Sequence, residues 1–125
     1  MGAKFYHFDQ NNSGGSFVAD EHVAHNVIIE ANNAEHANEL ALKIGIYFDG
    51  CESGDDCECC GDRWYAADES DGTDTPLIYN EPPELRREIF GHEGEPYCHV
   101  YYLDGLKKTY IHQTKEKARE IQQAN

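Results

Sequence analysis

The chain has 125 residues, of which 24 are Asp or Glu and 10 are Lys or Arg, so its formal net charge is −14 with His neutral. This length suits one domain with a modest core, and a hydrophobic fraction of 39% favours folding over disorder. The negative charge disfavours direct binding to nucleic acid or to an anionic membrane, because the protein's field would repel phosphate groups. No apolar run in the sequence approaches the length of a membrane span.

The N-terminal part of the chain predicts two strands followed by a helix. Lys4–Phe8 is aromatic and Val23–Ala31 is rich in β-branched residues, which are typical of strands. A polar, glycine-rich loop, Asp9–Gly15, follows the first of them. Asn32 or Asn33 is expected to cap a helix, since apolar residues then repeat at helical spacing through residues 37–48. One face of this helix should therefore pack on the sheet.

Residues 49–75 have a different composition. They contain ten Asp or Glu against one base, Arg63, together with four of the five cysteines. Such a segment has few apolar side chains to bury. We therefore expect its order to come from a bound metal, from Trp64 and Tyr65, or from a partner.

The C-terminal third predicts a hairpin and a helix. Tyr97–Leu103 and Leu106–His112 flank Asp104-Gly105, a dipeptide that favours a two-residue turn with two positive φ angles. A last helix is expected over Lys115–Ala124.

These elements predict a single domain, 1–125, of the α+β class. The expected architecture is an antiparallel sheet with helices packed on one face and a metal-knuckle loop excursion. Its parts would be a β-loop-β-α unit in 1–50, an acidic, cysteine-rich insertion in 51–75, and a hairpin with a C-terminal helix in 96–125.

A metal knuckle is predicted where Cys57 and Cys60 are followed by Gly61. Two thiolates three residues apart can bind one ion, and glycine permits the positive φ that such a turn uses. A structural zinc needs four ligands. The expected further ligands are Cys51 and Cys98, with His92, His99 and Cys59 as alternatives. The competing interpretation is that the cysteines are reduced thiols in a reducing compartment.

The glycine-rich loop and the acidic segment are the two candidate binding regions. The loop is typical of segments whose amides meet a ligand, yet it matches neither the P-loop nor the dinucleotide motif and contains no Lys. A plain hairpin loop is the alternative, and Asn11 and Asn12 would carry a ligand site there. The carboxylates of residues 49–74 could imitate the phosphates of a duplex, the alternative being a solvated loop that aids solubility.

Three stretches carry a resemblance to a known family: HFDQNNSGGSF (7–17), VIIEANNAEHANELA (27–41) and GIYFDGCESGDDCECCGDRWY (45–65). They resemble a family of small uncharacterised proteins from tailed bacteriophages, over about residues 4–65. The resemblance implies a viral origin and suggests that the cysteine cluster acts as one unit with the glycine-rich loop. The candidate binding residues are then Asp9, Gln10, Asn11, Asn12, Asp49, Asp55, Asp56, Asp62, Arg63 and Trp64.

The expected function is that of a non-enzymatic, zinc-stabilised phage accessory protein acting in the host cytoplasm. It would bind and inhibit a host protein with a basic surface, in host takeover or anti-defence, with nucleic-acid mimicry as one possible route. One alternative is sequestration of a nucleotide signal in the glycine-rich loop. Another is a zinc-dependent hydrolase, which the absence of a His-Glu-x-x-His or His-x-Glu motif disfavours. The sequence does not define the oligomeric state.

Overall fold

Aromatic and β-branched residues form a four-stranded sheet in the order β1-β2-β3-β4. The structure is a computed structural model that describes residues 2–11, 18–56, 61–85 and 94–112. Within these ranges the regular elements are β1 (Lys4–Asp9), β2 (Asn26–Ala31), α1 (Ala34–Lys43), α2 (Gly50–Ser53), β3 (Pro96–Tyr101) and β4 (Lys107–Ile111), with short 3-10 turns at Glu69–Asp71 and Pro83–Leu85.

The sheet is mostly antiparallel, and the predicted α+β class is confirmed. β1 pairs with β2 and β3 pairs with β4 in the antiparallel sense, whereas β2 and β3 run parallel. A parallel pair requires a long crossover. Here the crossover between β2 and β3 contains α1 and the acidic segment, which makes it long enough for the two strands to run parallel. The pairing of β2 with β3 therefore differs from the predicted antiparallel sheet.

Helix α1 begins where the sequence predicts. The Asn33 side chain caps it by accepting a hydrogen bond from the His36 amide at 2.8 Å. Ala37 and Ala41 are fully buried against the sheet. The helix ends before the apolar repeat does, because Gly45 takes a positive φ of 101° and redirects the chain.

The two faces of the sheet carry two separate core clusters. Successive strand residues point to opposite faces. One cluster combines the even-numbered Tyr6 and Phe8 of β1 with α1 and Trp64. The other contains Phe5, Cys98 and neighbouring residues, packed with Ile78 of the crossover.

The connection between β3 and β4 is longer than the predicted two-residue turn, and that prediction is wrong. Strand pairing ends at Tyr101 opposite Lys107. Gly105 has a positive φ of 96°, whereas the φ of Asp104 is not positive. The Asp104 carboxylate accepts a hydrogen bond from the Leu106 amide at 2.9 Å, as short polar side chains often do in turns. The predicted helix at 115–124 lies outside the described residues.

None of the helices in the described ranges has the length and apolar character needed to cross a membrane.

Candidate functional site

The acidic segment is joined to α1 through the protein's own contacts. Trp64 is 2% exposed and belongs to the core cluster on the α1 face of the sheet. The Asn38 side chain of α1 donates to the Ala67 carbonyl at 3.1 Å and accepts the Ala67 amide at 2.7 Å. A side-chain amide that satisfies both groups of one residue fixes that stretch of backbone against the helix.

Two further contacts hold the residues that come after Ala67 in the chain. The Glu69 carboxylate accepts the Ala34 amide at 2.8 Å, at the helix N-terminus where a negative charge is favourable. Thr73 and Phe5 exchange two backbone hydrogen bonds of 2.8 and 2.9 Å, which ties the segment to the outer edge of β1. The described part of the acidic segment is thus anchored by Trp64, by α1 and by β1.

Asp56 is a buried carboxylate with a structural role. Its side chain is 1% exposed, accepts the Tyr47 hydroxyl at 2.7 Å and accepts the Arg63 amide at 2.8 Å. Burial, together with the hydrogen bond to Asp56, raises the pKa of Tyr47. A Cβ on Gly50 would lie 1.8 Å from an Asp56 carboxylate oxygen, so this packing requires glycine.

The described start of the glycine-rich loop contacts the residues that follow the cysteine cluster. The Arg63 guanidinium donates to the Gln10 side-chain oxygen at 2.8 Å. The Asn11 amide donates to the Arg63 carbonyl at 2.8 Å, and the Asn11 side chain donates to the Asp62 carbonyl at 3.1 Å. The structure therefore brings together Gln10, Asn11, Asp62 and Arg63, which are far apart in the sequence.

Asp9 lies where β1 ends, in contact with two aromatic side chains. One carboxylate oxygen is 3.2 Å from His25 Nε2, and the other accepts the Tyr79 hydroxyl. Burial acts to raise the pKa of Asp9, but the hydrogen bonds from His25 and Tyr79 outweigh it and leave the pKa below its usual value. Tyr79 and Asn80 both have positive φ, a costly backbone conformation that this contact helps to hold.

The predicted metal ligands fall into three groups. Cys51 lies on α2, and its amide donates to the Asp62 carboxylate at 2.9 Å, which places it beside the chain that follows the predicted knuckle. Cys98 is fully buried in the core cluster on the other face of the sheet from Trp64. Within the described ranges, no group of three or more His, Cys, Asp or Glu is arranged to hold a metal ion. Four predicted ligands, Cys57, Cys59, Cys60 and His92, lie outside the described residues.

His99 is buried on β3, and both ring nitrogens have partners. Nε2 lies 2.7 Å from the Asp20 carbonyl and Nδ1 lies 2.9 Å from the Thr109 hydroxyl. A carbonyl can only accept, so Nε2 carries the proton and, in the neutral ring, Nδ1 accepts from Thr109. His99 could bind a metal only by giving up one of these contacts.

We expect acid to destabilise the protein through His99. Burial lowers its pKa, and the nearby Lys107 acts in the same direction, so the unfolded chain takes up a proton before the folded chain does. Stability is then full above about pH 6.5, the ordinary value for His, and declines below it, by at most about 1.4 kcal/mol per pH unit for one group. Urea unfolding at several pH values measures this slope. The His99→Gln variant should show a shallower slope, and an unchanged slope would assign the effect to other groups.

Sequence reasoning missed the partners that fix the candidate site. Asn38, Tyr47, His25 and Tyr79 were not predicted to contact it. Asn38 offered one signal, since a short polar side chain inside a helix often bonds to backbone outside it. Asp49 and Asp55 are exposed beside α2, and Asn12 lies outside the described residues.

The anchored segment and α1 together display a set of carboxylates, which we name the acidic face. Asn38 and Ala34 of α1 bond directly to the segment, and Glu35 and Glu39 are the residues that follow them on the helix, so the exposed acids of helix and segment are close neighbours. Its members are the exposed residues Glu35, Glu39, Asp68, Glu69 and Asp71. Such a surface can attract cationic groups at long range and present fixed acceptors to them.

Comparisons with known proteins give a family and no further relative. Neither the curated proteins nor the solved structures contain a match to this chain. The family model described as a domain of unknown function, DUF7296, matches residues 3–119, and the chain belongs to that family.

Proposed function

We propose that this protein is a non-enzymatic binding protein whose acidic face docks on the basic surface of a partner protein. The single observation that carries the proposal is the anchoring of the acidic segment to α1 and β1. The backbone that carries these carboxylates is already ordered, so little conformational entropy is lost when the partner binds.

The charge balance supports a basic partner. A net charge of −14 on 125 residues gives a field that speeds the approach of a cationic surface and repels other anions. Resemblance to phage proteins makes a bacterial host protein, in the host cytoplasm, the expected partner. If that partner binds nucleic acid, the fixed carboxylates would occupy the place of phosphates and inhibit it.

The contacts of the candidate site favour binding over catalysis. Asp56 is buried with Tyr47 and Arg63 as partners, so it is not available to a substrate. The Gln10 side chain is used in the same way, since it accepts from Arg63 and from the Val18 amide. These roles also weigh against a nucleotide site that uses Gln10.

A bound zinc is a separate part of the proposal. The predicted ligands Cys57 and Cys60 lie outside the described residues, and Cys51 is the described cysteine whose backbone contacts the chain just beyond them. If zinc binds there, it would stiffen the link between α2 and Asp62, in addition to the bonds that Asp56 makes.

Capture from a bacterial lysate tests the proposed function. The partner should be retained at low salt and lost when salt is raised to about 0.5 M, because exposed charges are then screened. Glu39→Lys, on the acidic face, should weaken capture by about tenfold. Glu81→Lys makes the same change in net charge at an exposed position away from the acidic face and is the matched control.

The pattern of retention decides between the outcomes. If neither raised salt nor Glu39→Lys weakens binding, the acidic face is not the docking surface. Equal losses with the two Lys variants would show that only the net charge matters.

A further inference from the structure

Strand β4 forms an edge of the sheet whose outer side is open in the part of the chain that the structure describes. It is last in the strand order and pairs there only with β3. The opposite edge, on β1, is covered, because Thr73 and Phe5 exchange two backbone hydrogen bonds. The outer side of β4 therefore presents a row of backbone N–H and C=O groups that another strand can use.

The hydrogen bonds at the two ends of β4 show which of its residues face outward. The Leu106 carbonyl accepts from the Tyr102 amide at 2.8 Å, on the side of β3. The His112 amide donates to the Glu95 carbonyl at 2.8 Å, on the same side. Along an antiparallel pair, residues that bond to the neighbouring strand alternate with residues that do not. The residues whose backbone groups turn outward are therefore Lys107, Thr109 and Ile111.

The two lysines of β4 do not guard this edge. Lysine on an edge strand commonly opposes pairing with another strand. Here the Lys107 ammonium lies 5.2 Å from the centre of the Tyr101 ring on β3, and Lys107 also donates to the Glu21 carbonyl. The Lys108 ammonium lies 5.1 Å from the centre of the Tyr110 ring. Both ammonium groups are thus held over rings on the faces of the sheet.

The sequence of β4 fits a second copy of itself. If two β4 strands pair antiparallel with Thr109 at the centre, all five residues of the strand are paired. Lys107 then lies opposite Ile111, and Lys108 lies opposite Tyr110, so no lysine faces a lysine. The residues that turn outward also meet one another, so each outward N–H has a carbonyl opposite. A register centred on Lys107 or Lys108 would instead place two lysines directly opposite, which is destabilising.

The distribution of charge also favours contact at this edge. β4 has two lysines and no acidic residue, in a chain whose net charge is −14. Residues 107–125 contain five Lys or Arg and two Glu. The acidic face lies on α1, which packs against β2, and so stays away from the contact. Two copies that meet at β4 therefore repel each other less than copies that meet through acidic surfaces. Ile111 and Leu106, which are 43% and 67% exposed, add apolar area there.

We propose that β4 is a self-association surface, through which two copies form a symmetric dimer with one continuous sheet. The strands pair antiparallel with Thr109 on the two-fold axis, so the same residues serve both copies. Main-chain hydrogen bonds supply the affinity, and the positions of the lysines select the register. This inference stands apart from the acidic face. A dimer displays two acidic faces, and either proposal can fail while the other holds.

Sedimentation equilibrium of the full-length protein, from about 1 to about 500 µM at about 0.15 M salt, tests the proposal. The mass should rise from that of one chain, 14.2 kDa, to twice that value. Ile111→Lys places a lysine opposite Lys107 of the second copy, twice in a symmetric dimer, and should weaken the dimer by about tenfold or more. Adding Lys107→Glu to this variant puts opposite charges face to face and should restore most of the affinity.

A matched control and a second measurement locate the contact. Leu42→Lys makes the same change of charge at an exposed position on α1 and should leave the dimer intact. Amide exchange followed by NMR reports on the strand edge itself. The amides of Lys107, Thr109 and Ile111 should become protected as the concentration rises, whereas those of residues 108 and 110 are already protected by β3 in the monomer.

Each other outcome overturns a stated part of the proposal. A single-chain mass over the whole concentration range would exclude the dimer. If the outward amides of that single chain are equally protected at every concentration, another segment of the same chain covers the edge. A dimer that Leu42→Lys weakens and Ile111→Lys does not would place the contact on another surface. If the double variant is as weak as Ile111→Lys alone, the register centred on Thr109 is wrong. Melting curves for every variant show whether loss of the dimer is loss of folding.

Discussion

Trp64→Ala should release the acidic segment from the fold and destabilise the protein by about 3–5 kcal/mol, the usual cost of removing a buried tryptophan side chain. Trp64 is 2% exposed in the core cluster on the α1 face of the sheet, and it sits between the buried Asp56–Arg63 contacts and the Asn38–Ala67 bonds. Hydrogen exchange in residues 61–75 should accelerate more than exchange in the hairpin of β3 and β4. Trp64→Phe keeps an aromatic ring and should cost less.

The same variant separates two sources of order. If the segment is anchored by Trp64, addition of a zinc chelator to the wild-type protein should leave exchange in residues 64–75 slow, while Trp64→Ala accelerates it. If zinc, another source of order that the sequence offered, is the main anchor, the chelator should have the larger effect. Native mass spectrometry before chelation shows whether about one zinc per chain is present. A bare chain mass would end the zinc proposal without affecting the prediction for Trp64.

The sequence predicted the elements whose residues follow a local period. β1, β2 and the start of α1 were predicted because strand-forming residues, helical spacing and an Asn cap occur within a few neighbouring positions. The parallel pairing of β2 and β3 was missed, because a hairpin signal reports only on strands that are adjacent in the chain. Topology across a long crossover leaves no such local pattern.

The anchoring of the acidic segment could not be predicted for a related reason. Each bond joins two residues that are distant in the sequence, as Asn38 and Ala67 are, or Gln10 and Arg63. Composition indicated only that the segment has few apolar side chains, which is true. Trp64, which the sequence offered as one source of order, anchors the described part together with a few side-chain bonds to backbone groups, and those bonds have no signature in composition or spacing.

The placement of Gly50 against Asp56 makes a second large effect testable. Gly50→Ala should destabilise the protein by about 1–3 kcal/mol, because the new Cβ would lie 1.8 Å from one Asp56 carboxylate oxygen, 2.5 Å from the carboxylate carbon and 2.8 Å from the Tyr47 ring. The carboxylate cannot easily move aside, since Tyr47 and the Arg63 amide both bond to it. Urea unfolding with the wild-type and the variant measures the difference.

A double-mutant cycle with Asp56→Ala identifies the cause. Asp56→Ala alone should cost about 3 kcal/mol, because it leaves the Tyr47 hydroxyl and the Arg63 amide without their buried acceptor. In that background the added Cβ of Gly50→Ala meets only the Tyr47 ring, 2.8 Å away, whose hydroxyl Asp56 no longer holds, so the second substitution should cost less than it does in the wild type. Additive losses would contradict the close packing of these two residues. A strong coupling would establish that Asp56 packs on Gly50 while it holds the amide of Arg63, the residue whose guanidinium and carbonyl bond to Gln10 and Asn11.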